Sequence, residues 1–174
     1  MKRLRNISVI VVALSLVFYL SAIAQDFNTA TKVRFIKLFP KYVEWPADKK
    51  SGDFIIGVIG DVSMKNALTD AMVDKLVGSQ PIKVIQLGSA AETSKCHMVY
   101  LSADKSGEIN TCFSKGQKSN TLILTDKDGL IGKSQINFVF VDSKLKFELN
   151  VKNLTNFGLK YNDNLKAVAA NVVE

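Results

Sequence analysis

Asp53-Phe54-Ile55-Ile56-Gly57-Val58-Ile59-Gly60-Asp61 is the stretch on which the fold turns. Five branched or aromatic residues stand in a row around Gly57, and a Gly-Asp pair closes the run. A short continuous apolar segment of this kind is a strand buried on both faces, the form that parallel sheets use. The spacing then predicts a helix from about Met64 to Val77, with Ser63 or Asp61 placed to cap its free N–H groups.

The alternation continues downstream. Pro81 to Leu87 reads as a strand through Ile82, Val84 and Ile85, and Cys96 to Leu101 as another. Ser106-Gly107-Glu108 opens a helix to about Lys115, Thr121 to Thr125 is a short apolar strand, and Asp126 to Gly132 is rich in turn formers. Strands alternating with helices imply a largely parallel sheet covered on both faces. The tail departs from this alternation. There, Ile136 to Val141, Asp142-Ser143-Lys144, and Leu145 to Val151 form an expected antiparallel hairpin. In its second arm Leu145, Phe147, Leu149 and Val151 alternate with Lys146, Glu148 and Asn150, which sends one face inward and one to water. Two short helical pieces, Leu154 to Leu159 and Asn164 to Val172, end the chain. The expected fold is α/β, a three-layer α/β/α sandwich on a mixed, mostly parallel sheet with a C-terminal antiparallel hairpin.

Upstream, Phe27 to Phe39 mixes Phe27, Ala30, Val33, Phe35, Ile36, Leu38 and Phe39 with Lys32, Arg34 and Lys37 in a helical pattern. Pro40 disfavours the helical region at Phe39, so a kink or break is expected there. Tyr42-Val43-Glu44-Trp45-Pro46 leads outward.

The extreme N-terminus has another logic. Lys2-Arg3-Leu4-Arg5, an apolar run from Ile7 to Leu20, and Ala22-Ile23-Ala24 follow the order of a secretory signal peptide. The run is shorter than the roughly 20 residues a membrane-spanning helix needs. Cleavage is expected after Ala24, with no Cys beside the cut for lipid attachment. Residues 1–24 are thus the signal peptide and 25–174 a single domain in the periplasm, of a length that buries roughly 70% of its unfolded surface. Losing Lys2, Arg3 and Arg5 takes the 23 basic residues to 20 against 16 acidic ones. The remaining lysines are scattered singly, which argues against a nucleic-acid partner.

Cys96 and Cys112 are the two cysteines of the chain. Export favours a disulfide between them. A strand rising from Cys96 and a helix returning to Cys112 bring the two to similar heights; the alternative is a pair of buried free thiols.

The candidate chemistry is sparse. His97, the one histidine, neighbours Cys96 on a strand, where adjacent side chains point to opposite faces, so a Cys-His nucleophilic pair is not expected. One His and two Cys do not make a zinc site. Gly57-x-x-Gly60-Asp61 is an incomplete phosphate turn in which Asp61 repels an anion. Asp126-Lys127-Asp128-Gly129 resembles half a calcium loop but has Leu130 and Asn137 where ligands are required. A hydrolase would depend on His97, Glu44 or Asp61, which no motif aligns; no enzyme activity, metal or cofactor is expected. The aromatic set Phe35, Phe39, Tyr42 and Trp45 is either core or the lining of a pocket formed by Phe39, Tyr42 and Trp45.

Several segments together resemble the YfiR family of periplasmic regulators: Val33-Arg34-Phe35, Phe39-Pro40-Lys41-Tyr42-Val43-Glu44-Trp45-Pro46, Phe54 to Asp61, Cys96-His97-Met98-Val99-Tyr100-Leu101-Ser102, Thr121 to Thr125, Ile136-Asn137-Phe138, Leu145-Lys146-Phe147-Glu148-Leu149-Asn150 and Gly158-Leu159. The resemblance implies a three-layer α/β fold and a non-enzymatic repressor that holds the periplasmic part of an inner-membrane diguanylate cyclase inactive, its release raising cyclic di-GMP. A membrane histidine kinase is an alternative partner, a small-molecule sensor an alternative role, and a homodimer a further expectation. By the same resemblance, partner contact is expected at Glu148, Asn150 and Leu154, with Ile136 nearby, and Cys96 falls where the family usually has cysteine.

Overall fold

The computed structural model describes residues 28–174. The signal-peptide expectation, its cut after Ala24, and Phe27 lie outside these residues.

An eight-stranded sheet has the order β10-β8-β7-β6-β5-β2-β4-β3. Within it β2 (Phe54–Ile59) is an inner strand, pairing in parallel with β4 (Gln80–Leu87) on one side and β5 (Met98–Leu101) on the other. β6 (Leu122–Thr125) and β7 (Ile136–Val141) extend the parallel run. The five strands β4-β2-β5-β6-β7 thus have the 2-1-3-4-5 order of a doubly wound sheet. β7 turns back antiparallel into β8 (Lys144–Asn150), as the alternation predicts. Asp142 and Ser143, both with positive φ (51° and 59°), make the two-residue turn whose twist suits a hairpin. The architecture is α/β, with helices around a mixed, mostly parallel sheet.

Helix α1 covers residues 28–42. Phe35 and Phe39 lay it on one face of the sheet, each meeting Phe147 edge-on at 5.3 Å. α3 (Ile109–Ser119) lies on the other face, where Gly116 sits so close to Ile123 that a Cβ would come within 2.9 Å of its side chain. Asn120 ends α3 in the left-handed region and donates its amide to the Phe157 carbonyl at 2.8 Å, tying the cap to α4 (Val151–Asn156). Between the faces Met98, Leu101, Leu122, Ile123 and Phe147 are wholly buried.

Three helix expectations are corrected. Helix α1 does not break before Pro40: it runs to residue 42, because so near its end the proline forfeits a single helical bond, and Phe39 is pinned against Phe138 and Phe147. α2 (Val62–Ala71) is capped by the Asp61 carboxylate, which accepts the Met64 N–H at 2.9 Å, but it stops well short of Val77. Asp74 adopts φ 55°, and β3 (Leu76–Val77) folds back onto Gln80 and Pro81 through Gly78, φ 60°. The last helical piece is likewise short: α5 (Asn164–Val168) gives way to β10 (Asn171–Val173), which lies parallel to β8. A two-stranded antiparallel sheet, β1 (Val43–Glu44) with β9 (Lys160–Tyr161), anchors the end of α1.

The expected Cys96–Cys112 bridge is absent: both residues are buried free thiols. Cys96 packs its sulfur over Gly57, while the Cys112 sulfur accepts the Thr93 hydroxyl at 3.4 Å, so each is committed to its own neighbour. Burial pushes the Cys96 thiol up to about 12 and the Cys112 thiol up to about 11.

Candidate functional site

The segment after α1 builds a cleft of about 650 Å³ between β1, β9 and the β3–β4 turn. Tyr42, Glu44 and Trp45 contribute to its wall with Lys50, Gln80 and Tyr161. Phe39, expected there, is instead core, held by the two phenylalanines described above. Trp45 is buried with its edge on Phe54 at 4.9 Å, and its indole N–H donates to the His97 carbonyl at 3.1 Å. Only part of the aromatic set therefore meets the cleft. Glu44 and Lys50 form an exposed ion pair at 2.6 Å on the rim, which keeps the Glu44 carboxyl below its ordinary range.

His97 lies behind Trp45. Its Nδ1 accepts the Ile55 N–H at 3.0 Å and its Nε2 is 2.9 Å from the Lys49 carbonyl, an arrangement that fits the neutral imidazole donating from Nε2. Both ring nitrogens are committed to backbone, and burial lowers the imidazole's pKa. The residue joins the 3₁₀ turn at Ala47–Lys49 to β2 and β5.

At the hairpin the structure separates the four residues expected to meet a partner. Ile136 and Leu154 are fully buried, and Asn150 is buried as the cap of α4, its side chain accepting the Asn153 N–H at 2.8 Å and donating to the Ile131 carbonyl at 3.0 Å. These three belong to the core: β8 ends at Asn150, which caps α4 and turns the chain inward through Leu154, and Ile136 of β7 shares the covered face of its partner Leu149. Glu148 alone is half-exposed. Its carboxylate accepts from the Asn137 amide at 3.0 Å and the Asn171 amide at 3.5 Å, so one acid is held in place by strands on both sides.

A further cluster escaped the sequence reading. At the carboxyl ends of the parallel strands, Lys32 of α1 pairs with Asp126, which also accepts the Tyr100 hydroxyl; Lys32 lies 3.2 Å from that hydroxyl. The second oxygen of Asp126 is buried without a hydrogen-bond partner. Burial first, then the Asp126 charge, drives the Tyr100 phenol far above its ordinary range. Tyr100 near the end of β5 and Asp126 directly after β6 were readable signals, since doubly wound sheets place their crevice at those ends. Nearby, the Asp61 cap occupies the α2 N-terminus, and Gly60 has φ 94° with room for no side chain, so an anion has no seat there. Among the described residues no group of three or more His, Cys, Asp or Glu is placed to hold a metal ion.

A family model described as YfiR/HmsC-like matches residues 29–170. The chain belongs to the YfiR/HmsC-like family. Members of this family are periplasmic regulators rather than enzymes, and the family is associated with membrane signalling proteins. The YfiR-like fold is also that of a solved structure, a conserved domain protein from Vibrio cholerae O1 biovar El Tor, at a TM-score of 0.58 and 12% identity over 83% of this chain. The present chain spans 60% of that protein's length. The ABC domain from Streptococcus pneumonia in complex with L-Trp is similar at a TM-score of 0.49 and 14% identity, over 68% of this chain and 55% of that one. No curated protein matches the sequence. Among the described residues no helix is long and apolar enough to cross a membrane.

Proposed function

We propose that the protein is exported with cleavage after Ala24, and that residues 25–174 act as a non-enzymatic repressor binding the periplasmic sensor part of an inner-membrane signalling protein, a diguanylate cyclase. The observation that carries this reading is the family match across residues 29–170. The contact face centres on Glu148, with Asn137 and Asn171 fixing its carboxylate and Val139 and Lys146 on the same face of the hairpin. A fixed acid suits recognition, because little side-chain entropy remains to be lost on binding. The test is capture from crosslinked envelope membranes with the exported protein, beside its Glu148→Lys variant. Recovery of a membrane cyclase by the first and its loss in the second is the expected result. Recovery of a histidine kinase would change the partner, and recovery of no membrane protein by either would overturn the reading.

One observation favours a second role. The cleft of about 650 Å³ beside Tyr42 and Tyr161 lies within the size range of small-ligand sites. A small-molecule sensor would gain thermal stability with its ligand by mass action, whereas Tyr42→Ala would abolish that gain.

A further inference from the structure

One helix face in this molecule is basic without being paired. Arg34, Lys37, Leu38 and Lys41 recur at i, i+3, i+4 and i+7, which puts them on a single stripe of α1, opposite the buried Ile36 and Phe39. Across a cleft of about 610 Å³ this stripe faces Lys75 and Leu76 on the turn into β3, with Met72 and Ile82 also lining it. No carboxylate lines this cleft. Among the described residues none of the four cations takes part in an ion pair, those being made by Lys32, Lys50, Lys95 and Lys166. Asp74 flanks Lys75 in the turn without lining the cleft.

The same surface carries apolar side chains that a free protein would hide. Leu76, which lines the cleft, is 61% exposed. Leu38 is exposed on the helix stripe between the cations. Aliphatic tips among unpaired cations make a surface complementary to one that is negative outside and apolar just beneath.

We infer that this face docks the protein on an anionic phospholipid bilayer, the cations meeting headgroup phosphates while Leu38 and Leu76 reach the acyl boundary. The composition favours lipid over a protein partner. Three of the four cations are lysines, residues depleted from protein interfaces, and their mobile ammonium groups suit a field of phosphates better than a fixed set of carboxylates. Arg34 is the one arginine of residues 28–174. The inference stands apart from the Glu148 contact and uses only the periplasmic setting of the family: a regulator held at the bilayer searches for a membrane partner in two dimensions.

The experiment is co-sedimentation of the protein, expressed as the full chain and recovered from the periplasm, with vesicles of phosphatidylcholine alone or with one quarter phosphatidylglycerol. Partitioning at least ~10-fold stronger onto the anionic vesicles is expected, falling as salt rises from about 0.1 M to about 1 M, since screening shortens from about 10 Å to about 3 Å. Lys37→Glu with Lys41→Glu lowers it by ~10-fold or more, and Leu76→Asp weakens it as well. Lys115→Glu with Lys118→Glu, the same charge change on α3 across the sheet, has a much smaller effect. All these positions are solvent-facing, so unchanged melting temperatures certify the fold. Equal binding to both vesicle types, or equal loss in the two double variants, would overturn the inference. So would absence of vesicle binding with capture of an envelope protein that Lys37→Glu/Lys41→Glu abolishes, which would give the face to a protein. Glu148→Lys keeps full vesicle binding if the two surfaces are separate, so failure of one proposal is visible apart from failure of the other.

Discussion

The indole N–H of Trp45 donates to the carbonyl of His97 at 3.1 Å, and that carbonyl also accepts the Leu122 N–H at 2.9 Å. One oxygen thereby joins the segment after α1 to the entries of β5 and β6. Trp45→Phe keeps most of the buried ring and leaves the carbonyl its second donor, so the expected cost is about 1 kcal/mol. Trp45→Ala also opens a cavity against Phe54, with an expected loss of about 3–5 kcal/mol. Urea unfolding of the two variants separates these magnitudes; equal costs would mean that packing around the ring contributes little.

His97 makes stability depend on pH in a defined window. Burial lowers its pKa below the ordinary 6.5, and a protonated Nδ1 is unable to accept the Ile55 N–H. The unfolded chain therefore takes up the proton first. Its contribution is fully present above about pH 6.5 and is lost as pH falls from there toward the lower folded value. The exposed acids with lowered pKa, Glu44 and Glu92, titrate below this window. Thermal melts between about pH 7 and pH 5 should show the decline, and His97→Gln should flatten it; an unchanged slope would assign the decline elsewhere.

How far the sequence was legible follows from where burial is decided. The run Phe54 to Ile59 is apolar on both faces, and only an inner strand of a parallel sheet can bury it, so the central sheet and the Asp61 cap were readable locally. The α2 boundary was not: Leu68, Met72 and Leu76 keep helical spacing, yet Asp74 turns the chain with φ 55° and Leu76 becomes a strand residue 61% exposed. The alternation in β8 placed Glu148 correctly outward and misplaced Asn150, because period-two logic ends where the strand does and Asn150 is spent on capping α4. Ile136 and Leu154 adjoin that outward face in sequence, but their burial comes from layers contributed by distant elements. Tyr100 and Asp126 were readable at the strand ends, but Lys32 stands 94 residues from Asp126, a separation across which no local pattern joins α1 to that pair.

Gly60 is the position where least can be added. It adopts φ 94°, and a Cβ there would stand 2.0 Å from the Ser102 hydroxyl oxygen and 2.8 Å from a Lys105 side-chain carbon. Gly60→Ala combines left-handed strain with a clash against the start of the next turn, an expected loss of about 3 kcal/mol or more. Gly129→Ala has comparable strain at φ 81° but open space around it, so it should cost about 1 kcal/mol. Denaturant midpoints of the pair isolate the clash; matching losses would show that strain alone matters.

The two thiols should be nearly inert in the folded protein. With Cys96 pushed up to about 12, the thiolate fraction at about pH 8 is on the order of 10⁻⁴, against roughly a quarter for an ordinary cysteine. Iodoacetamide should label neither Cys96 nor Cys112 under native conditions, and both rapidly in urea. Mass spectrometry of protein taken from the periplasm reads the result, and two thiols labelled in urea without reductant is the expected count. A mass short by two hydrogens, with no labelling until reductant is added, would instead reveal the Cys96–Cys112 bridge.

Lys32 and Asp126 hold α1 to the sheet with side chains only 15% and 12% exposed. Removing one partner strands the other: Lys32→Met leaves the Asp126 carboxylate with the Tyr100 hydroxyl as its remaining donor, at an expected cost of about 3 kcal/mol. Tyr100→Phe keeps the ion pair and should cost about 1.5–3 kcal/mol for one hydrogen bond to a charged group. Asp126→Asn with Lys32→Met removes both charges, and because neither is left uncompensated the double variant should be more stable than Lys32→Met alone. Urea denaturation of the single and double variants completes the cycle. If the double variant instead loses the sum of the two single losses, the residues do not act as a pair and α1 is held by its phenylalanines.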